Sequence, residues 1–202
     1  MTKRRYDASG RRAAAEQRRL RVAEEAARLF GEHGWAGTTI ADVAAAAEVS
    51  SDLVSSAFGS KAGLLMAALR RNGFGRHVDA QAAFAALRLG DEPDRGVRLD
   101  RIVFLVTRSL AGIAPLARVL PLAADVDPEL RDLVDASEAG LVGIAAQVVE
   151  LLATGEPHPD AVDEVYVLMR SETYLALVGR RGWSEERFAA WLRRSLDDAT
   201  TA

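Results

Sequence analysis

Apolar residues recur along this chain at intervals of three and four, and the strict alternation that marks half-buried strands is nearly absent. The pattern predicts an all-α protein. In the first half we expect helices over about 13–33, 39–47, 51–57 and 60–89. In the second half we expect a buried central helix around 102–106, and further helices over about 128–155, 160–179 and 184–198.

Residues that favour helix ends support these boundaries. Ser60 and Ser184 are suitable N-caps, and Asp127 followed by Pro128 is typical of a cap with proline at the first helical position. The composition of residues 90–94 is that of a loop. The segments between these signals are long enough for helices that bury one face.

Composition is that of a globular protein without disulfides. Hydrophobic residues make up 49% of the 202 residues, which is enough for a sizeable core, and cysteine is absent. No apolar run approaches the roughly 18 residues that span a bilayer. We therefore expect no membrane partner, and the lack of cysteine fits a cytoplasmic location.

Charge is unevenly distributed along the chain. The net charge is −3, yet residues 1–21 contain eight Lys or Arg against two acidic residues, a local charge of +6. We interpret residues 1–12, which include Arg4 and Arg5, as a basic mobile arm on an acidic body. Charge alone does not distinguish between two interpretations of this segment: an arm that binds nucleic acid, and a tail that is merely solvated.

Residues 38–65 have the pattern of two short helices that cross closely. The apolar residues expected at the crossing are Ile40, Val43, Ala47, Val54 and Phe58. Ala44 is small where a large side chain would separate the helices, and Val49 is placed to close the turn. Thr39 and Ser50 can cap the two helices. The segment therefore predicts a helix-turn-helix.

A series of short motifs within residues 15–66 keeps one fixed spacing without a gap. They are Leu29-Phe30, Gly34-Trp35, Thr39-Ile40-Ala41-Asp42-Val43-Ala44, Ala47, Val49-Ser50, Phe58-Gly59-Ser60-Lys61 and Leu64-Leu65. In these motifs the chain resembles the TetR family of bacterial transcriptional regulators. The resemblance covers about a quarter of the chain, and beyond it only the all-helical layout is similar.

The resemblance implies a three-helix DNA-binding domain over residues 13–75 and a helical ligand-binding and dimerisation bundle over 76–202. Residues 51–57 would enter the major groove, with Thr39 and Lys61 on phosphates. The basic arm would add salt-dependent affinity. The DNA-binding candidates are Thr39, Ser50, Ser51, Asp52, Ser55, Ser56, Lys61, Arg4 and Arg5.

The expected reading helix departs from the family pattern. The family often has glycine in place of Glu48, commonly lysine near Ser51, and usually tyrosine in place of Ser55. The helix has no Arg, Lys, Asn or Gln for bidentate contacts to bases. Either Ser55 and Ser56 make modest contacts while Asp52 accepts from a cytosine amine, or strong specific binding is lost. We favour retained binding.

A ligand cavity in the second part of the chain is a further implication of the resemblance. Candidate lining residues are Phe74, Phe84, Phe104, Leu105, Arg108, Leu116, Tyr166, Met169, Arg170 and Tyr174. Taken singly, each of them is more typical of plain core or surface than of a cavity wall. An inward-pointing Arg108 or Arg170 would indicate an anionic effector, whereas two surface arginines would indicate an apolar one.

The last two predicted helices carry more apolar surface than one small core needs. Paired with a second copy they would form a four-helix interface. The candidate interface residues are Val165, Leu168, Phe188, Trp191 and Leu192. The alternative is that these side chains close the core of a single chain.

No pattern indicates an enzyme, a metal site or a cofactor. His33, His77 and His158 have no partner at metal-ligand spacing, and Gly73-Phe74-Gly75 lacks the rest of a dinucleotide motif. The sequence therefore predicts a homodimeric repressor that binds double-stranded DNA and is released by an unidentified small molecule. The alternative is a ligand sensor or protein-interaction bundle whose reading head has lost specific DNA binding.

Overall fold

The computed structural model describes residues 8–201, and the described part is helical without any strand. Arg4 and Arg5 lie outside it. The α-helices are α1 Ala8–His33, α2 Ile40–Ala46, α3 Ser51–Phe58, α4 Lys61–Phe74, α5 Ala80–Ala85, α6 Arg95–Ala117, α7 Val119–Val126, α8 Pro128–Leu152, α9 Ala161–Leu168, α10 Ser171–Tyr174 and α11 Glu185–Ala199. A 3-10 turn spans Leu89–Asp91, and a π-helical turn spans Leu175–Arg180. The all-α prediction is confirmed.

The predicted caps are present. The Ser60 hydroxyl accepts from the Gly63 amide at the start of α4, and the Ser184 hydroxyl accepts from Arg187 at the start of α11. The Asp127 side chain caps α8, with Pro128 at its first position. These side chains satisfy amide groups that the first helical turn leaves without an intrahelical partner.

Three predicted helices have different bounds. Helix α1 begins at Ala8, so Arg11 and Arg12 belong to a helix rather than to an arm. Helix α4 ends at Phe74 instead of near residue 89, because Gly75 adopts φ +61° and turns the chain. The helix expected over 160–179 is broken at Arg170, whose backbone is extended.

A head, α1–α4, and a body, α5–α11, share one of the two hydrophobic cores. In the head, buried residues of this core include Val22, Phe30, Val43, Val54, Leu64 and Leu65. The corner where α6, α7 and α8 meet adds Leu116, Val119, Ala123 and Leu130 to the same core. The head is therefore packed onto the body through continuous apolar contact.

The second core lies within the body and surrounds α6. The central part of α6 is a buried helix, as predicted, with Ile102 and Val106 inside the core. Helices α8, α9 and α11 cover it, and α11 packs against both α6 and α9. Ile113, in the last third of α6, contacts both cores.

Helices α4 and α6 cross at backbone contact. A Cβ built on Gly112 would overlap the carbonyl oxygen of Asn72, and one built on Gly73 would lie 2.6 Å from Cγ2 of Ile113. Glycine at both positions is what allows the two helices to approach so closely. The helix that leaves the head is thus held directly against the central helix of the body.

Among the helices of residues 8–201, none is by itself both long enough and apolar enough to cross a membrane. The pair α6 and α7, which is bent by 53°, meets those length and composition criteria only when taken together.

Candidate nucleic-acid interface and ligand cavity

Helices α2 and α3 are two separate, crossed helices joined by a tight turn. Val43, Ala47 and Val54 are buried at the crossing, and Val49 is half-buried in the turn. On the opposite side of α3, Ser51, Asp52, Ser55 and Ser56 are exposed. The predicted helix-turn-helix and its outward polar face are both present.

The turn between these helices contains a strained residue. Glu48 adopts φ +56°, a left-handed conformation that a side chain with a Cβ disfavours and glycine accepts readily. This is the position at which the resembling family often has glycine. The turn therefore keeps its shape here at a conformational cost, and it also places a carboxylate beside the reading helix.

The side chains at the helix starts are already engaged in capping. The Thr39 hydroxyl accepts from the Asp42 amide at 3.1 Å and donates to the Asp42 carboxylate at 2.7 Å. The Thr39 amide donates to the same carboxylate, which completes a capping box. The Thr39 hydroxyl bond lowers the pKa of Asp42. Ser50 caps α3 by accepting from Leu53.

Lys61 is half-buried and contacts the head internally. Its ammonium donates to the carbonyl oxygen of Trp35 and lies 4.3 Å from the centre of the Trp35 ring. Burial lowers the pKa of Lys61, and the Asp127 and Asp42 carboxylates oppose that shift. The ammonium has three N–H groups, so a phosphate contact in addition to the Trp35 bond stays a prediction.

Basic side chains lie along the N-terminal half of α1. Arg12, Arg18 and Arg21 are exposed, and the Arg19 guanidinium lies 5.2 Å from the centre of the Phe58 ring at the end of α3. Positive charge is thus concentrated on the N-terminal half of α1, a helix that packs against α2 and α4 and contacts the end of α3 through Arg19. This arrangement supplies cations that the reading helix itself lacks.

A hydrogen bond connects the start of α4 to the body. The Ser60 hydroxyl donates to Oε1 of Glu129, in the first turn of α8, at 2.8 Å. The same hydroxyl caps α4. The first residues of α4 therefore contact the head and the body at the same point.

The body contains a cavity of about 490 Å³. Its wall is formed by α4, α5, α6, α7, α8 and residues 169–172, and most of its surface is apolar. Of the lining residues predicted from the sequence, the structure brings together Phe74, Phe84, Leu105, Met169 and Arg170. Their contact with a ligand stays a prediction.

The other predicted lining residues do not reach this cavity. Phe104 is 66% exposed and Arg108 is also exposed, because both lie on the outer face of α6. Leu116 belongs to the core shared with the head. Tyr174 packs edge-on against Phe188 with 4.9 Å between ring centres, and burial raises its pKa to about 12. Tyr166 lies behind the wall, where its hydroxyl bonds to Glu138.

Sequence reasoning named Phe74 of α4 but missed three further lining residues of the same helix, Met66, Leu69 and Arg70. Met66 and Leu69 also belong to the core shared with the head. The signal in the sequence was that α4 is apolar on more than one face, and such a helix packs against other elements on more than one side. That signal gives no indication of which side is a cavity.

Arg170 is on the wall, but its guanidinium is already paired. It donates to Glu138 at 2.6 Å and makes two bonds to Glu172, at 2.8 and 3.0 Å. These partners raise the pKa of Arg170, the Glu172 bonds most strongly. Arg170 therefore offers no free charge to an anionic effector.

Three of the five predicted interface residues are fully enclosed by the chain itself. Val165, Phe188 and Leu192 are 0% exposed and pack in the body core. They close the core of one chain, which is the alternative that the sequence left open for these three residues. Leu168 and Trp191 are only partly buried, and Val167, which precedes Leu168 on α9, is 53% exposed.

Among residues 8–201, no group of three or more His, Asp or Glu is arranged to hold a metal ion. His33 and His158 each have one carboxylate at 3.9 Å. The described part of the chain thus presents a helix-turn-helix surface and one large apolar cavity as its candidate sites.

Together, the exposed face of α3 on a crossed helix pair and the helical body behind it define an all-α protein of the helix-turn-helix class. Residues 23–68 match the sequence model described as bacterial regulatory proteins, tetR family. The match covers α2 and α3 and extends into α1 and α4. No curated protein matches the sequence.

Solved structures share the fold of the whole chain. A protein from Rhodococcus sp. described as a TetR-family transcriptional regulator is 23% identical with a TM-score of 0.68, over 91% of this chain and 99% of that one. NalD, the secondary repressor of the MexAB-OprM multidrug efflux pump in Pseudomonas aeruginosa, is 21% identical with a TM-score of 0.68, over 92% and 96%. The multidrug binding protein EbrR, complexed with imidazole, is 24% identical with a TM-score of 0.54, over 89% of both chains.

Proposed function

We propose that this protein is a ligand-responsive transcriptional repressor that binds operator DNA as a homodimer through α3. The observation that carries the proposal is the exposed polar face of α3, Ser51 to Ser56, on a helix whose inner face is locked by Val54. Helices presented in this way enter the major groove. Because a repressor must reach the chromosome, we propose that the protein is located in the cytoplasm.

Phosphate contacts supply the affinity in this proposal, because the reading helix carries no cation. Exposed Arg12, Arg18 and Arg21 on α1 are the available charges, with Lys61 at the start of α4. Binding of this kind weakens steeply as salt rises. Ser55 and Ser56 then contribute modest contacts to base edges, and Asp52 accepts from a cytosine amine.

The effector acts through α4 in this proposal. Met66 and Leu69 of α4 lie on the cavity wall, and the same helix packs against α1 in the head. A molecule in the cavity therefore contacts the helix that positions the head. A shift of α4 changes the separation of the two heads of a dimer, and coupling of about 1–3 kcal/mol is enough for a useful switch.

The proposal is tested by fluorescence anisotropy with duplexes from the region upstream of the protein's own gene, at two salt concentrations. We expect saturable binding with a steep loss of affinity at higher salt. The double variant S55A/S56A keeps the salt dependence and loses preference for the upstream duplex over a shuffled one. Absence of binding to any duplex at low salt would contradict the proposal.

A second candidate function is a ligand sensor or interaction bundle without specific DNA binding. The observation in its favour is the acidic character of the reading surface, where Glu48 and Asp52 are both exposed. It predicts equal, weak binding to the upstream and the shuffled duplex. The same titration therefore separates the two candidates.

A further inference from the structure

The cavity wall carries a cation that the structure leaves unpaired. Arg70 lies on the wall, half-buried on α4, and it makes no hydrogen bond or ion pair with any residue from 8 to 201. Arginines that are partly removed from water are usually paired. The guanidinium of Arg70 is therefore available to a bound anion.

The acidic groups of the wall, in contrast, are engaged. Glu138 and Glu172 both pair with Arg170. Asp79 is exposed and caps α5, where its Oδ1 accepts from the Ala82 amide at 2.8 Å. A carboxylate at a helix start is stabilised by the positive end of the helix dipole. Arg70 is thus the wall charge with no counterpart among the described residues.

A second polar group without a partner lies on the same wall. The Ser109 side chain is 8% exposed, and its Oγ is buried without a hydrogen-bond partner in the described chain. A Cβ built on Gly73, one turn along α4 from Arg70, would lie 3.7 Å from the carbonyl oxygen of Ser109, so the backbones of α4 and α6 are close at this point. A buried hydroxyl without a partner costs stability, and such groups often mark a site where a ligand completes the bond.

The rest of the wall suits an apolar group. Its buried side chains include Leu69, Phe84, Val106, Leu110 and Ile144. A volume of about 490 Å³ is within the range of sites that enclose small organic ligands. The wall therefore combines a large apolar surface with one unpaired guanidinium and one unpaired hydroxyl that is itself enclosed in the structure.

We propose that the cavity binds an amphipathic carboxylate, with the carboxylate group on Arg70 and Ser109 and the apolar tail among the aliphatic and aromatic side chains. This inference rests on the proposed function, because it names the class of effector for the cavity of that regulator. The Arg70 guanidinium forms two parallel bonds to the carboxylate, and the Ser109 hydroxyl donates to it. Because Arg70 belongs to α4, the anion binds directly to the helix that leads to the head.

The experiment uses three probes with the same chain length and different head groups: decanoate, decan-1-ol and decyltrimethylammonium, below their micellar concentrations and at neutral pH. Decanoate is ionised under these conditions. Affinities are measured by isothermal titration calorimetry on the full chain without DNA. We expect decanoate to bind at least about tenfold more tightly than decan-1-ol, as a charge-assisted bond implies, and the cation to bind weakest.

The test variant is Arg70→Met, and its matched control is Arg71→Met. Arg71 is the next residue of α4, lies off the cavity wall and pairs with Glu24 of the head. We expect Arg70→Met to abolish the preference for decanoate over decan-1-ol and to leave the affinity for decan-1-ol within about twofold, because the apolar wall is intact. Arg71→Met keeps the preference.

Equal binding of decanoate and decan-1-ol to the unmodified protein, no binding of any of the three probes, or a preference that survives in Arg70→Met would each overturn the inference. None of these results affects the proposed function, which is judged by duplex binding in a separate titration. Conversely, a chain that binds no duplex but prefers decanoate through Arg70 would contradict the regulator and keep the chemistry of the cavity.

Discussion

At the scale of single residues, Glu48 combines two unfavourable features in the turn before the reading helix. Its φ of +56° is a strained backbone conformation for a residue with a Cβ, and its carboxylate is exposed beside the surface proposed to approach DNA. Strain and charge can be separated with two substitutions, because glycine removes both whereas glutamine removes only the charge.

We expect Glu48→Gly to raise the free energy of unfolding by about 0.5–1 kcal/mol, since relief of the left-handed strain exceeds the entropic cost of glycine. Glu48→Gln leaves stability unchanged. Both variants bind duplex more tightly at low salt, because each removes a repulsive charge. Urea denaturation and anisotropy measure the two effects, and equal stability of the two variants would refute the strain argument.

Lys61 also has two roles that measurement can separate. Its ammonium bonds to the Trp35 carbonyl, and the proposal adds a phosphate contact. We expect Lys61→Met to lower stability by about 1 kcal/mol through loss of the cation–π contact. We also expect the slope of log affinity against log salt to become shallower by about 1 for each phosphate released. Arg88→Met, an exposed change in the body, is the control. If Lys61→Met does not change the slope of log affinity against log salt, Lys61 has only a structural role.

At the scale of helices, the α4–α6 crossing depends on glycine. A Cβ at position 112 would overlap the Asn72 carbonyl oxygen, so the helices would have to separate. We expect Gly112→Ala to destabilise the protein by about 1–3 kcal/mol. Gly143→Ala, on the exposed face of α8 with nothing within 4 Å, should instead stabilise by about 0.5–1 kcal/mol. Thermal and urea unfolding of both variants check the contrast, and similar effects would contradict it.

The same scale shows what the sequence could predict. The spacing of Val43, Val49 and Val54, with caps at Thr39 and Ser50, specified the crossed helices because those interactions are local. The end of α4 was missed, since Gly75 acts through a backbone angle that no apolar pattern records. The break at Arg170 was missed because an extended residue between two helical segments follows no apolar pattern, and its ion pair with Glu138 joins residues 32 positions apart.

Cavity residues were harder to predict for a related reason. A buried aromatic such as Phe84 has the same sequence pattern whether it lines a cavity or fills a core. Phe104 was a candidate lining residue and the direction of Arg108 was left open, and both residues lie on the outer face of α6. Which face of a central helix is inside depends on the packing of α8, α9 and α11, and hence on contacts between distant segments.

At the scale of the whole molecule, the dimer proposal now rests on a different surface from the one first predicted. Val165, Phe188 and Leu192 are enclosed, whereas Val167 on α9 is 53% exposed and Leu168 and Trp191 are partly buried. Exposed apolar surface often marks an interface. Val167 is therefore the residue at which to test association.

We expect Val167→Glu to shift the protein from dimer to monomer in light scattering after size-exclusion chromatography, because a buried unpaired charge weakens an interface strongly. Val126→Glu is the matched control, since Val126 is 70% exposed on α7. Dissociation by the control alone, or by neither variant at micromolar concentration, would place any interface elsewhere.

The core that runs from α1–α4 into Leu116, Val119, Ala123 and Leu130 has a consequence for engineering. An excised fragment that ends at residue 75 would expose the apolar surface that these four residues cover. We expect such a fragment to aggregate rather than to fold alone. A chimaera that joins the head to the body of another regulator must therefore include the corner where α6, α7 and α8 meet. Otherwise the apolar residues at the new contact between head and body must be redesigned.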